Sequence, residues 1–219
     1  FSLEERSKLT DALDSVYNYY GNLSNLAKQY GLKISYADNC KQHARKAIGL
    51  FTNYHKAIGV SFFNDLNDES LTMAHETAHW LDSLKGKEFS YRMASDKDGT
   101  IENKIAEKYK KLIKEENERQ KDSTKLGERQ KDSTKLGDYW YRTCECFARA
   151  IEQDFGLTIG LKERCHPPAY LSEEIFNKEI KPLIEELKKE NEIKVKCVYW
   201  CGVVLGAHGV VWSVEPHVR

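Results

Sequence analysis

The sequence predicts an α+β fold, mostly helical, with a small N-terminal β-sheet packed on one central helix and a second helix facing it. Three observations carry the expectation. Apolar residues recur at helical spacing along most of the 219-residue chain. Three short runs rich in β-branched and aromatic residues are confined to residues 32–63. Directly after them, "LTMAHETAHWLDSL" at 71–84 reads as a helix with two histidines four residues apart.

The elements follow in order. Ser2 and Glu5 make a capping box, and Leu9, Leu13, Val16, Tyr17 and Tyr20 then give an amphipathic helix. A shorter helix through Leu23, Leu26, Ala27 and Tyr30 is expected to stop at Gly31. "LKISY" reads as a strand, and "KAIGLFT" with "KAIGVSFF" as a hairpin or as neighbouring strands. The next helix should run from about Glu69 to Leu84, before Gly86. From Thr100 to about Glu116, a stripe of Ile101, Ile105, Tyr109 and Leu112 in a charged background suits a solvated surface helix. "DYWYRTCECFARAIEQDFG" is a compact helix with Gly156 near its end. "LSEEIFNKEIKPLIEELKKE" gives one or two helices, since Pro182 lacks a backbone donor.

Two stretches stand apart. "ERQKDSTKLG" at 118–127 recurs unchanged at 128–137. A single polar duplication is no solenoid, and it reads as an insertion into a surface loop, where added length costs little. The expected domain therefore spans 1–190, with an apolar tail at 191–219 of open nature. Residues 197–214 contain no charged side chain. Their length suits a membrane span, but their glycines, His208 and β-branched bias fit a buried strand pair at least as well.

Composition excludes some partners. Lysine plus arginine number 34, as do aspartate plus glutamate. No global field therefore draws the chain to nucleic acid or anionic lipid. The lysines between 108 and 135 alternate with acids, as on a solvated face. The six cysteines are too sparse for a disulfide framework and read as mostly reduced thiols. "FSLEERSKLT" has no signal-like pattern. A cytoplasmic setting is the expectation, for a chain that begins at Phe1 and looks cut from a longer protein. A second metal site from Cys197, Cys201, His208 and His217 is rejected on its loose spacing.

On a helix, His75 and His79 lie one turn apart on one face, with Glu76 beside them. In such an arrangement two neutral imidazoles hold a zinc ion and the carboxylate takes a proton from the attacking water. A third ligand is needed. Asp82 lies seven residues after His75, roughly 10 Å along a helix, and suits an orienting or helix-packing role better. A histidine six residues after His79 is excluded, because Lys85 stands there. Glu145, on the later helix among small and apolar neighbours, is the better candidate, although a plain pair with Arg149 would also explain it.

The runs "GLFTNYHKAIGVSFFN", "LTMAHETAHWLDS", "YW" with "ECFARAIE", and "AYLSEEI" occur in the order found in the zincin-like metallopeptidase domain of large polyvalent proteins. These proteins are carried by phages and conjugative elements. The chain resembles that family over about residues 34–190. The resemblance implies a zincin-like fold with one zinc ion held by His75, His79 and Glu145. It further implies Glu76 as catalytic carboxylate and a protein or peptide as substrate. Tyr170 falls at the family's tyrosine position and is the expected oxyanion donor, with His166 and Tyr141 as alternatives.

There are departures. Where related zincins carry an acid four residues after the glutamate ligand, this chain has Arg149, so Asp82 or Glu152 would have to orient a histidine. Cys144 and Cys146 flank Glu145 and read as small buried groups. The competing expectation is a non-catalytic zinc-stabilised interaction module of a larger polyprotein. Retention of Glu76 speaks against it, since a purely structural site has no use for a base there. The sequence leaves the oligomeric state open.

Overall fold

A computed structural model describes residues 3–20, 31, 33–36, 49–52, 57–60, 66–123, 141–165 and 169–200. The fold is α+β and mostly helical. Helix α1 spans Leu3–Tyr20, and strands β1, β2 and β3 span Lys33–Tyr36, Gly49–Thr52 and Ala57–Val60. Helix α2 is Leu66–Glu88, followed by a 3-10 turn at Ala94–Asp96. Helices α3, α4, α5 and α6 are Ile101–Ser123, Thr143–Thr158, Glu173–Glu179 and Lys181–Trp200. Ser2, the expected helix at 23–30, His166, residues 124–137, and Cys201, His208 and His217 of the tail lie outside the described residues.

The expected hairpin is present, as β2 pairs antiparallel with β3. What the local pattern does not show is that β1 pairs parallel with β3, giving a mixed sheet in the order β1-β3-β2 with β2 at an edge. Parallel pairing needs a crossover, and nothing in the run "LKISY" itself chooses between neighbours. The sheet packs on α2, as expected, with Ile58 of β3 fully buried.

Helix α2 is the axis of the molecule. Sheet, α1 and α4 all pack against it. One apolar cluster joins Val16, Ile58, Leu71, Met73, Ala74, Trp80 and Phe155, while Ala78 belongs to another formed with α3, α4, α5 and α6. Among the buried or half-buried polar side chains of this enclosed helix are His75, Glu76, His79 and Asp82.

Several expected boundaries move. Gly86 does not end α2, which runs on to Glu88. Its missing side chain instead admits the chain at Met93 and Ala94, whose backbone atoms would lie 2.7 and 2.8 Å from an added Cβ. Gly156 lies near the end of α4, as expected, pressed against Cys165, and the turn that closes the helix uses Gly160 at a φ of 85°. The α3 stripe is as expected: Ile101, Ile105 and Tyr109 are buried and Leu112 is half-buried, while Lys104, Glu107, Lys111, Lys114 and Glu115 are exposed. Thr100 caps the helix, its Oγ1 accepting from the Asn103 N–H at 3.1 Å.

Helix α3 also extends to Ser123, so the first residues of the duplicated segment are helical rather than loop. Pro182 restarts the chain as expected, falling in the first turn of α6 where its missing donor costs nothing. Helix α6 continues through residue 190 to Trp200. The boundary expected at 190 is therefore not a break in secondary structure, and residues 197–200 are helix rather than strand. Among the described residues, no helix is long and apolar enough to cross a membrane.

Candidate metal centre

Helix α2 brings His75 and His79 onto one face, with ring centroids 4.8 Å apart and Nε2 atoms 3.2 Å apart. Helix α4 packs against that face and delivers Glu145, 66 positions beyond His79 in the chain. The carboxylate offers one oxygen to each ring: Oε2 lies 3.4 Å from His75 Nε2 and Oε1 lies 3.4 Å from His79 Nε2. Glu145 therefore faces the histidines.

His75, His79 and Glu145 form a group that could hold a metal ion, and it is the one such group among the described residues. The distances fit. With metal–ligand bonds of about 2.0–2.1 Å, a tetrahedron has ligand–ligand edges of roughly 3.3–3.4 Å. The hydrogen bonding fits as well. His75 Nδ1 lies 2.9 Å from Glu152 Oε2, and with Nδ1–H donating there its Nε2 is the nitrogen turned toward the Nε2 of His79. Two imidazole nitrogens this close need a cation between them, either a proton or a metal.

The electrostatics agree in direction. Burial pulls the His75 pKa down, but Glu145, Glu152 and Glu76 outweigh it and raise the group to about 10. For Glu145, burial raises the pKa and the two histidines overturn this, holding the carboxyl well below the usual range. The site is built to retain positive charge between these groups.

Glu76 is buried beside the two histidines, and burial raises its pKa despite those histidines and the Phe51 backbone, which favour its charged form. Edge strand β2 supplies both that backbone and the space. At Gly49, an added Cβ would stand 2.6 Å from Glu76 Oε1 and 2.6 Å from Thr72 Cγ2. Sequence reasoning missed Gly49, and its one signal is a glycine inside a strand, which marks close approach of another group.

The structure separates the remaining expected residues. Asp82 accepts two hydrogen bonds from Ser95, and so serves packing between α2 and the 3-10 turn rather than orientation of a histidine. Glu152 takes the orienting place, on His75. Two turns beyond Glu145 on α4, it shares a helix face with that ligand. Arg149 is half-buried on α4, and its charge is felt by Tyr109 and Cys146.

Tyr170 comes to the site, where its hydroxyl donates to Glu152 Oε1 at 2.8 Å. Tyr141 is packed in the α3–α4 core beneath Lys114, whose Nζ lies 4.7 Å from its ring centre. Cys144, Cys146 and Cys165 are reduced, and burial raises their thiols to about 12, 11 and 12. Neither of the two that flank Glu145 joins the His75–His79–Glu145 group.

Comparison of the chain with protein-family models, with curated proteins and with solved structures gives no match.

Proposed function

We propose that this protein is a zinc-dependent metallopeptidase, with His75, His79 and Glu145 as metal ligands and Glu76 as general base. The observation that carries the reading is the convergence of two Nε2 atoms and a carboxylate, 3.2 to 3.4 Å apart, on the face of α2 beside which Glu76 is buried. Two imidazoles and one carboxylate are a donor set that suits zinc and leaves a coordination position open. The motif order shared with the zincin-like domain of large polyvalent proteins supports the same chemistry and a phage or conjugative-element origin.

When bound, zinc supplies Lewis acidity, polarising the scissile carbonyl and acidifying water. Glu76 accepts the proton of the attacking water at its carboxylate and returns it to the leaving amine nitrogen. Burial favours both steps, because a carboxyl whose pKa is raised lies closer to the pH at which it must exchange that proton. Hydrogen bonding of Nδ1 to Glu152 leaves Nε2 as the His75 nitrogen that faces Glu145 and would hold the ion.

Elemental analysis with a peptide-library cleavage assay tests the reading. About one zinc per chain is expected in the parent, with a marked loss in Glu145→Ala. Glu76→Gln should keep its zinc and lose cleavage by roughly 100-fold or more. Zinc retained in Glu76→Gln with undiminished biological activity would instead make the ion structural. A parent that takes up no zinc after reconstitution would end the enzymatic reading.

A further inference from the structure

Two adjacent residues of α4 grip the same segment of chain beyond it. Gln153 is fully buried; its Nε2 donates to the Leu171 carbonyl at 2.7 Å, and its Oε1 accepts from the Leu171 N–H at 3.3 Å. Tyr109 of α3 donates its hydroxyl to that same Oε1 at 2.9 Å. One residue further on, the Ser172 N–H donates to Glu116 Oε2 at 3.0 Å. The backbone on the C-terminal side of Tyr170 is thus tied to both α3 and α4.

From that anchored position, Tyr170 donates to Glu152 Oε1 at 2.8 Å, while Glu152 Oε2 accepts from His75 Nδ1 at 2.9 Å. One carboxylate joins a fixed phenol to a metal-ligand imidazole. A glutamate held only by the histidine would retain rotamer freedom; held at both oxygens, it has one orientation. Burial and then Glu152 raise the Tyr170 phenol far above its ordinary value, so it remains a donor throughout the working pH range. His79 has no such support, since its buried Nδ1 has no hydrogen-bond partner among the described residues.

We propose that Tyr170 is a positioning residue of the metal centre: through Glu152 it holds His75 in the tautomer and ring orientation that turn Nε2 toward the ion. This rests on the reading of His75, His79 and Glu145 as a metal site, and it is independent of peptidase activity.

Zinc titration against a competing chelator tests it on the intact chain, with the parent, Tyr170→Phe, Glu152→Ala and the double variant. Glu152→Ala should weaken zinc binding roughly 10-fold or more, the range found when partners of metal-ligating histidines are removed, and Tyr170→Phe should weaken it by a smaller factor, roughly 3-fold or more. In the Glu152→Ala background the same change should cost nothing further, because the path through the carboxylate is already cut. Unchanged affinity in Tyr170→Phe, or an equal loss in both backgrounds, overturns the proposal. Should Tyr170→Phe prove too unstable to titrate, 3-fluorotyrosine at position 170 keeps ring and hydroxyl while altering donor strength. The His75 Nδ1–H resonance of the zinc-loaded protein should then move, and an unmoved resonance overturns the proposal. A parent that binds no zinc removes the metal site itself, whereas a parent that binds zinc as tightly as Tyr170→Phe removes only this inference.

Discussion

Asp82 and Ser95 are joined twice across the end of α2, the Ser95 N–H donating at 2.8 Å and its hydroxyl at 2.5 Å to the two carboxylate oxygens. Burial nevertheless dominates and raises the Asp82 carboxyl from 3.8 to about 6. The folded protein therefore binds this proton more tightly than the unfolded chain does, and stability must fall as pH rises between about 4 and 6. A shift of two pKa units corresponds to about 3 kcal/mol. Denaturant unfolding of the metal-free protein at pH 4 and pH 7 should show the parent losing about 2–3 kcal/mol more than Asp82→Asn. Identical pH dependence in the two proteins would mean that the Ser95 hydrogen bonds offset the burial completely.

Gly86 separates two opposing effects. Replacing a glycine inside a helix with alanine ordinarily stabilises by about 1 kcal/mol. Here the new Cβ would press on the backbone at Met93 and Ala94, at 2.7 and 2.8 Å, where no flexible side chain can yield. Gly86→Ala should therefore destabilise, by about 1–3 kcal/mol in denaturant unfolding. A gain in stability would show that the Met93–Ala94 segment moves freely.

Gly49 faces Glu76, the proposed base, rather than a backbone. In Gly49→Ala the Cβ would displace the Glu76 carboxylate or the strand that carries Phe51. Zinc content should be retained, while peptide cleavage should fall by more than the loss of folded protein explains, as measured by kcat at saturating zinc. Unaltered kcat would show that Glu76 and β2 adjust together.

The thiols of Cys144, Cys146 and Cys165, raised to about 12, 11 and 12, should resist iodoacetamide at pH 8 in the native protein and react once it is denatured. Peptide-resolved mass spectrometry reads this directly. Rapid native labelling of Cys146 would place a thiolate beside Glu145 and reopen a sulfur ligand for the metal.

The sequence by itself determined what short-range periodicity encodes. Helical spacing in α1, α2, α3 and α4 was legible, as were the hairpin partners β2 and β3 and the restart of the chain at Pro182. The placement of His75 and His79 on one face follows from the 3.6-residue turn alone. Their neighbour Glu76 needs no tertiary information either.

Only the tertiary structure decided which distant groups meet. Glu152 and His75 are 77 residues apart, and whether Asp82 or Glu152 would orient a histidine depended on how α4 docks against α2. Gly86 looks like a helix end in sequence, because glycine both terminates helices and admits close neighbours. The chain packed against it selects the second use. Tyr170 shows the same limit: its type and place suggested a donor, but the acceptor is Glu152, supplied by the packing of α4 against the segment it precedes. Periodicity acts over a few residues of one element, whereas a hydrogen bond between elements exists only after their buried faces have chosen each other.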